Sequence, residues 1–147
     1  MSAYQTIVVG TDGSESSLRA VDRAGALAGD KATLVVACAY FPNEREAGGA
    51  ADVLKDEAYQ ITGSSPTEEI LRTARERAAK SGAGSIDLRS VKGAPVDALL
   101  QLVTDVKADL LVVGNRGLNS IAGRLLGSVP ADVARKSACD VLIVHTT

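Results

Sequence analysis

The chain has 147 residues, of which 46% are apolar, 23% charged and only 3% aromatic, and its net charge is −2. That length fits one domain with a substantial core. A near-neutral charge without any Lys/Arg block, together with so few aromatic side chains, excludes nucleic acid or an anionic membrane as the main partner.

The opening residues, MSAYQTIVVG, contain neither a charged leader region nor an apolar run of signal length. No stretch approaches the ~20 apolar residues of a membrane span. A cytoplasmic protein is expected. TIVVG (6–10) is a short β-branched run closed by glycine and predicts a buried strand. TDGSESS follows, and then Leu18, Val21, Ala24 and Ala28 recur at helical spacing, predicting a helix from about Ser14 that Gly29 and Asp30 stop.

ATLVVACAY (32–40) is apolar throughout, as a strand covered on both faces must be. Residues 41–65 are longer than an ordinary connection, with a short helix expected over 51–61 and a functional loop as the alternative. Pro66, with Ser65 as N-cap, opens a helix whose stripe is Ile70, Leu71, Ala74 and Ala78 and which Gly82 ends. SIDLRSV (85–91) alternates and predicts an edge strand with one wetter face. A helix begins near Pro95, a buried strand covers 108–114, a helix lies near 130–137, and DVLIVHT (140–146) is the last strand.

The alternation of strands and helices predicts an α/β fold, a three-layer α/β/α sandwich around a parallel sheet, in a single domain spanning 1–147. Cys38 and Cys139, isolated from each other, read as reduced, buried thiols. His145 is the only histidine. It reads as a strand residue near an edge, which makes a Ser-His-Asp triad untenable, and no His/Cys cluster offers a zinc site. No catalytic residue and no metal ligand is expected.

In an open parallel sheet, ligands sit beyond the carboxyl ends of the strands where strand order reverses. GTDGS (10–14) and GNRGLNS (114–120) both have suitable composition, and they face one crevice if the first and fourth strands are neighbours. Gly114 and Gly117 let the backbone bend and present N–H groups to an anion. Ser128 adds a hydroxyl, and a helix opening at Pro130 adds free N–H groups and its dipole. By themselves these glycines fit either tight turns or a phosphate cradle. They form neither a Walker A loop nor a G-x-G-x-x-G fingerprint.

Gly114-x-x-Gly117, nine residues, then Gly127-Ser128 resembles the G-2x-G-9x-G-(S/T) motif of nucleotide-binding universal stress proteins. IVVGTDGSESSLRAVDRA, KADLLVVGNRGLNSIAGRLLGSV and CDVLIVHT resemble the opening and closing parts of that family, so the likeness covers essentially the whole chain. The resemblance implies a Rossmann-like, five-stranded parallel sheet of order 3-2-1-4-5. It implies an adenine nucleotide (ATP, AMP or cyclic AMP) as ligand, with Gly10, Thr11 and Asp12 at base and ribose and Ala39 at adenine. Gly114, Asn115, Arg116, Gly117, Leu118, Asn119 and Ser120 lie around ribose and phosphate, and Gly127, Ser128 and Val129 at the phosphates. It also implies a homodimer through the last strand, about 140–146.

One position departs from the family. Many ATP-binding members carry Ser or Thr two residues beyond the Ser/Thr of the motif, where this chain has Pro130. With Arg116 and Arg124 as the only cations of the loop, a nucleotide with one phosphate is expected over ATP, and magnesium only with a polyphosphate. The function expected is a non-catalytic sensor or buffer. A slow ATPase or nucleotide hydrolase, and a stress-linked dimeric scaffold without nucleotide, are the alternatives.

Overall fold

A computed structural model describes residues 4–40, 64–115 and 128–146. The elements are β1 (Thr6–Gly10), α1 (Glu15–Ala28), β2 (Thr33–Tyr40), α2 (Ser64–Ser81), β3 (Ser85–Lys92), α3 (Pro95–Val106), β4 (Leu110–Gly114), α4 (Ser128–Lys136) and β5 (Asp140–Val144). The five strands form one sheet in the order β3-β2-β1-β4-β5, every neighbouring pair parallel.

Strand periodicity builds the two cores. Ile7, Val9, Leu34, Val36, Leu110 and Val112 point to one face, where they meet Leu18, Val21 and Ala24 of α1 and Leu71, Ala74 and Ala78 of α2. The intervening residues Val8, Val35, Ala37, Leu111 and Val113 point to the other, against Leu99, Leu102 and Val103 of α3 and Val133 of α4. This is why β1, β2 and β4 read as unbroken apolar runs. The two edges differ. On β3, Asp87 and Arg89 form a 3.0 Å ion pair with both side chains about half exposed. On β5, Val141, Leu142 and Ile143 stand half-buried, with no strand beyond them among the described residues.

The ends of α1 are set by residues visible in the sequence. Ser14 is extended at φ −69°, ψ 154°, and its hydroxyl accepts from the Ser17 N–H at 3.2 Å. Gly29, at φ 52°, donates its N–H to the Gly25 carbonyl at 3.0 Å. Between α1 and α2, Arg77 bridges Asp22 at 2.5 Å and Glu15 at 3.2 Å. Hydrogen bonds donated to Asp22 first, then Glu15, hold the guanidinium further on its charged side than usual.

Four boundaries differ from expectation by two residues. Helix α2 starts at Ser64, so Ser65 lies inside it and does not cap it. Helix α4 starts at Ser128, making Pro130 its third residue and not its first. Both shifts have one cause: the first four N–H groups of a helix have no acceptor within it, so proline is tolerated anywhere in the first turn. β4 starts at Leu110, two residues late, because the Asp109 carboxylate accepts from the Gln5 and Thr6 N–H groups at 2.9 and 3.0 Å. β5 ends at Val144, which leaves His145 beyond the strand and exposed. The helix expected over 51–61 lies outside the described residues.

Cys38 is fully buried, and Cys139 only partly so, contrary to the expectation for it. Burial first, then the Asp12 carboxylate, pushes the Cys38 thiol up to about 12, so it stays protonated at neutral pH. No described helix is long and apolar enough to cross a membrane.

Candidate functional site

β1 is the switch point of the sheet: its chain continues to β2 on one side, while β4 lies on the other. Ile7, Val8 and Val9 pair with Leu110, Leu111 and Val112. The exits of β1 and β4 therefore open on the same crevice, the condition set by the sequence for a common site.

The β1 exit is a buried polar knot. The Thr11 N–H donates to the Ala37 carbonyl at 2.9 Å and extends the ladder one residue past Gly10. Thr11, Asp12 and Ser17 are at most 5% exposed. The Ser17 hydroxyl donates to the Ser14 carbonyl at 2.9 Å, so the 2.7 Å Thr11–Ser17 contact runs from the Thr11 hydroxyl to Ser17. Ser17 Oγ also accepts from the Asp12 N–H at 3.3 Å, and Thr11 Oγ1 from the Gly13 N–H at 3.1 Å. Thr11 thus has both its donor and an acceptor position engaged within the loop. Gly13 adopts φ +87°, a conformation that calls for glycine, and a Cβ there would lie in tight contact, 3.0 Å from Ile70 Cγ1.

Asp12 is different. Its Oδ1 accepts from the Ser14 N–H at 2.9 Å, while Oδ2 has no hydrogen-bond partner among the described residues. A carboxylate oxygen this deeply buried is an acceptor suited to a ligand hydroxyl.

Ala39 is placed by register. Ala37 pairs with Gly10 and turns its carbonyl toward β1. Two residues on, Ala39 presents its own N–H and C=O in the same direction, beyond the end of β1. That is where backbone recognition of a planar base is geometrically available.

At the β4 exit, Gly114 lies in regular strand geometry, paired with Val144 and without a positive φ. The bend freedom expected of it is not used. A Cβ there would stand in ordinary contact with its surroundings, 3.4 Å from Thr146 Cγ2 and 3.6 Å from the Ser16 carbonyl. Asn115 follows, its N–H donating to the Val144 carbonyl at 2.8 Å. Its Oδ1 accepts from both the N–H and the hydroxyl of Thr146, at 2.9 and 2.8 Å. Arg116, Gly117, Leu118, Asn119, Ser120 and Gly127, as well as Arg124, lie outside the described residues. Ser128 and Val129 open α4, and with Pro130 third, the N–H groups of residues 128, 129 and 131 are the ones its first turn leaves free.

Ser16, Ser17, Arg19 and Thr146 were not legible as parts of this region. Ser17 interrupts the apolar face of α1, which is the one local signal for it. Among the described residues, no group of three or more His, Cys, Asp or Glu side chains is placed to hold a metal ion.

Residues 3–145 match the Universal stress protein family. The chain is 61% identical over 147 residues to the universal stress protein Rv1636 of Mycobacterium tuberculosis, covering all of both chains. A crystal structure of a universal stress protein in complex with cAMP is 57% identical, with a TM-score of 0.77 over 99% of this chain and 100% of that one. A universal stress protein from Archaeoglobus fulgidus, in complex with dAMP, shares 22% identity and a TM-score of 0.70, covering 96% and 98% of the two chains, and supports the fold. By its strand order, its switch-point loops and this match along nearly its whole length, the chain belongs to the universal stress protein family.

Proposed function

We propose that the protein binds an adenine nucleotide with one phosphate, AMP or cyclic AMP, in the crevice between the exits of β1 and β4, and does not turn it over. The observation that carries this reading is the adjacency of those strands, which sets the buried Asp12 carboxylate and the Ala39 backbone at the same end of the sheet as Gly114 and Asn115. A ribose hydroxyl donates to Asp12, and adenine meets Ala39. The chain around Gly114–Ser120, with Gly127, Ser128 and Val129, takes ribose and phosphate. Gly10 and Thr11 line the site through their backbone, the Thr11 hydroxyl being engaged with Ser17.

The limit of one phosphate rests on charge and donors. Pro130 removes one N–H from the first turn of α4. Asp12 adds a negative charge that repels each further phosphate. The cAMP complex of the 57% identical relative supports the same choice. Magnesium enters only with a polyphosphate. Calorimetry on the purified protein is expected to show AMP or cyclic AMP binding more tightly than ATP. ATP binding tenfold tighter than both overturns the preference, and no binding of any of the three overturns the site.

A homodimer through β5 belongs to the same proposal, with the protein acting in the cytoplasm. The β3 edge is guarded by charge, whereas β5 offers half-buried Val141, Leu142 and Ile143 along unpaired backbone. Pairing with the same strand of a second copy around a two-fold axis removes that edge. Native mass spectrometry is expected to report a mass of two chains; a lone-chain mass at micromolar concentration refutes it.

A further inference from the structure

We infer that Thr146 is a positioning residue for the ligand crevice: it fixes Asn115, the first residue beyond β4, through a hydroxyl relay that starts on α1. The inference rests on the proposed nucleotide site. Thr146 is 4% exposed and lies beyond the end of β5. Its N–H and hydroxyl both donate to Asn115 Oδ1, at 2.9 and 2.8 Å. Because its single hydroxyl proton is directed there, the 2.5 Å contact with Ser16 runs from the Ser16 hydroxyl to Thr146 Oγ1. Arg19 Nη1 holds the Thr146 carbonyl at 2.6 Å. Every polar group of Thr146 is thus engaged, by residues from two different parts of the fold.

Two consequences follow for Asn115. Its amide is oriented, Oδ1 toward Thr146 and Nδ2 away from it, 3.5 Å from His145 Nδ1. Its backbone is held as well, by the N–H donated to Val144. The chain therefore leaves β4 from a fixed atom position and not from a freely rotating turn, and preorganised donors bind more tightly than ones ordered on arrival.

The test compares Thr146→Val, which keeps the shape and removes the hydroxyl, with Thr146→Ser, which restores it. Affinities for AMP and for cyclic AMP are measured by calorimetry, and amide exchange at Asn115 is followed by NMR in the ligand-free proteins. T146V is expected to bind about tenfold more weakly and to exchange faster at Asn115, with T146S within about threefold of the unmodified protein. Unchanged affinity in T146V, or an equal loss in T146S, overturns the positioning role. If the unmodified protein binds neither nucleotide, the functional reading falls, and exchange alone decides the relay: faster in T146V only supports it, and equal rates overturn it.

Discussion

Gly25→Val is expected to lower the stability of the protein by about 3 kcal/mol, and Gly25→Ala by about 1 kcal/mol, as read by chemical denaturation. The alanine result is the sharper one. In a helix interior, glycine to alanine is ordinarily stabilising by about 1 kcal/mol. Here a Cβ would lie 2.8 Å from the Ala78 carbonyl oxygen, 3.1 Å from Ala78 Cα and 3.2 Å from Ser81 Cβ. The first two are backbone atoms of α2 and cannot rotate aside. Accommodating the methyl means pushing α1 and α2 apart, which opens the packing of Ala24 and Ala28 against Ala74 and Ala78. The Arg77 bridge does not compensate, since its partners are partly solvent-exposed and such pairs contribute little. Valine adds a branched side chain to the same clash. A G25A protein as stable as the parent, or more so, contradicts this account of the helix contact.

Asp12→Ala is expected to weaken AMP or cyclic AMP binding about a hundredfold, and Asp12→Asn about tenfold, because hydrogen bonds to an ionised acceptor are roughly twice as strong as neutral ones. Asparagine keeps an acceptor for the Ser14 N–H, but places an NH2 donor where Oδ2 accepts the ligand hydroxyl, so only a neutral bond donated to the hydroxyl oxygen is left. Alanine leaves the ligand hydroxyl and the Ser14 N–H without their partner at a position only 5% exposed. A modest loss of stability, about 1 kcal/mol, accompanies the alanine change through the unmade bond to Ser14. Titration calorimetry with both variants separates the two effects. D12A binding within twofold of the parent removes Asp12 from the site.

Strands and helices were legible because their signals are local. Apolar runs of five to nine residues, broken by glycine, proline and serine clusters, locate β1, β2 and β4, and Leu18, Val21, Ala24 and Ala28 declare α1. The order of the strands came from family resemblance, since alternation alone implies a parallel sheet but not which strands are neighbours. Gly114 shows where local reading stops. A glycine after a strand suggests a bend, yet this one stays in the strand, paired with Val144 and facing a side chain from beyond β5. No window around residue 114 contains that information. Asp109 fails in the same way: its side chain serves β1, so the strand expected from residue 108 starts two residues later. The prolines mislead for a different reason, because several positions of a helical first turn accept them equally.

The placing of β4 against β1 also has a bearing on how the chain reaches this fold. β1, β2 and β3 are successive in sequence and adjacent in the sheet, so each finds its partner after one crossover. β1's other neighbour comes much later: the Thr6–Asp109 bond alone spans 103 residues. Closing a loop of that size has to precede any gain from the contacts it brings. Until it closes, Ile7, Val8 and Val9 line an open strand edge at what will be the centre of the molecule. Refolding is therefore expected to be paced by the meeting of two distant strands, with the crevice between their exits forming late.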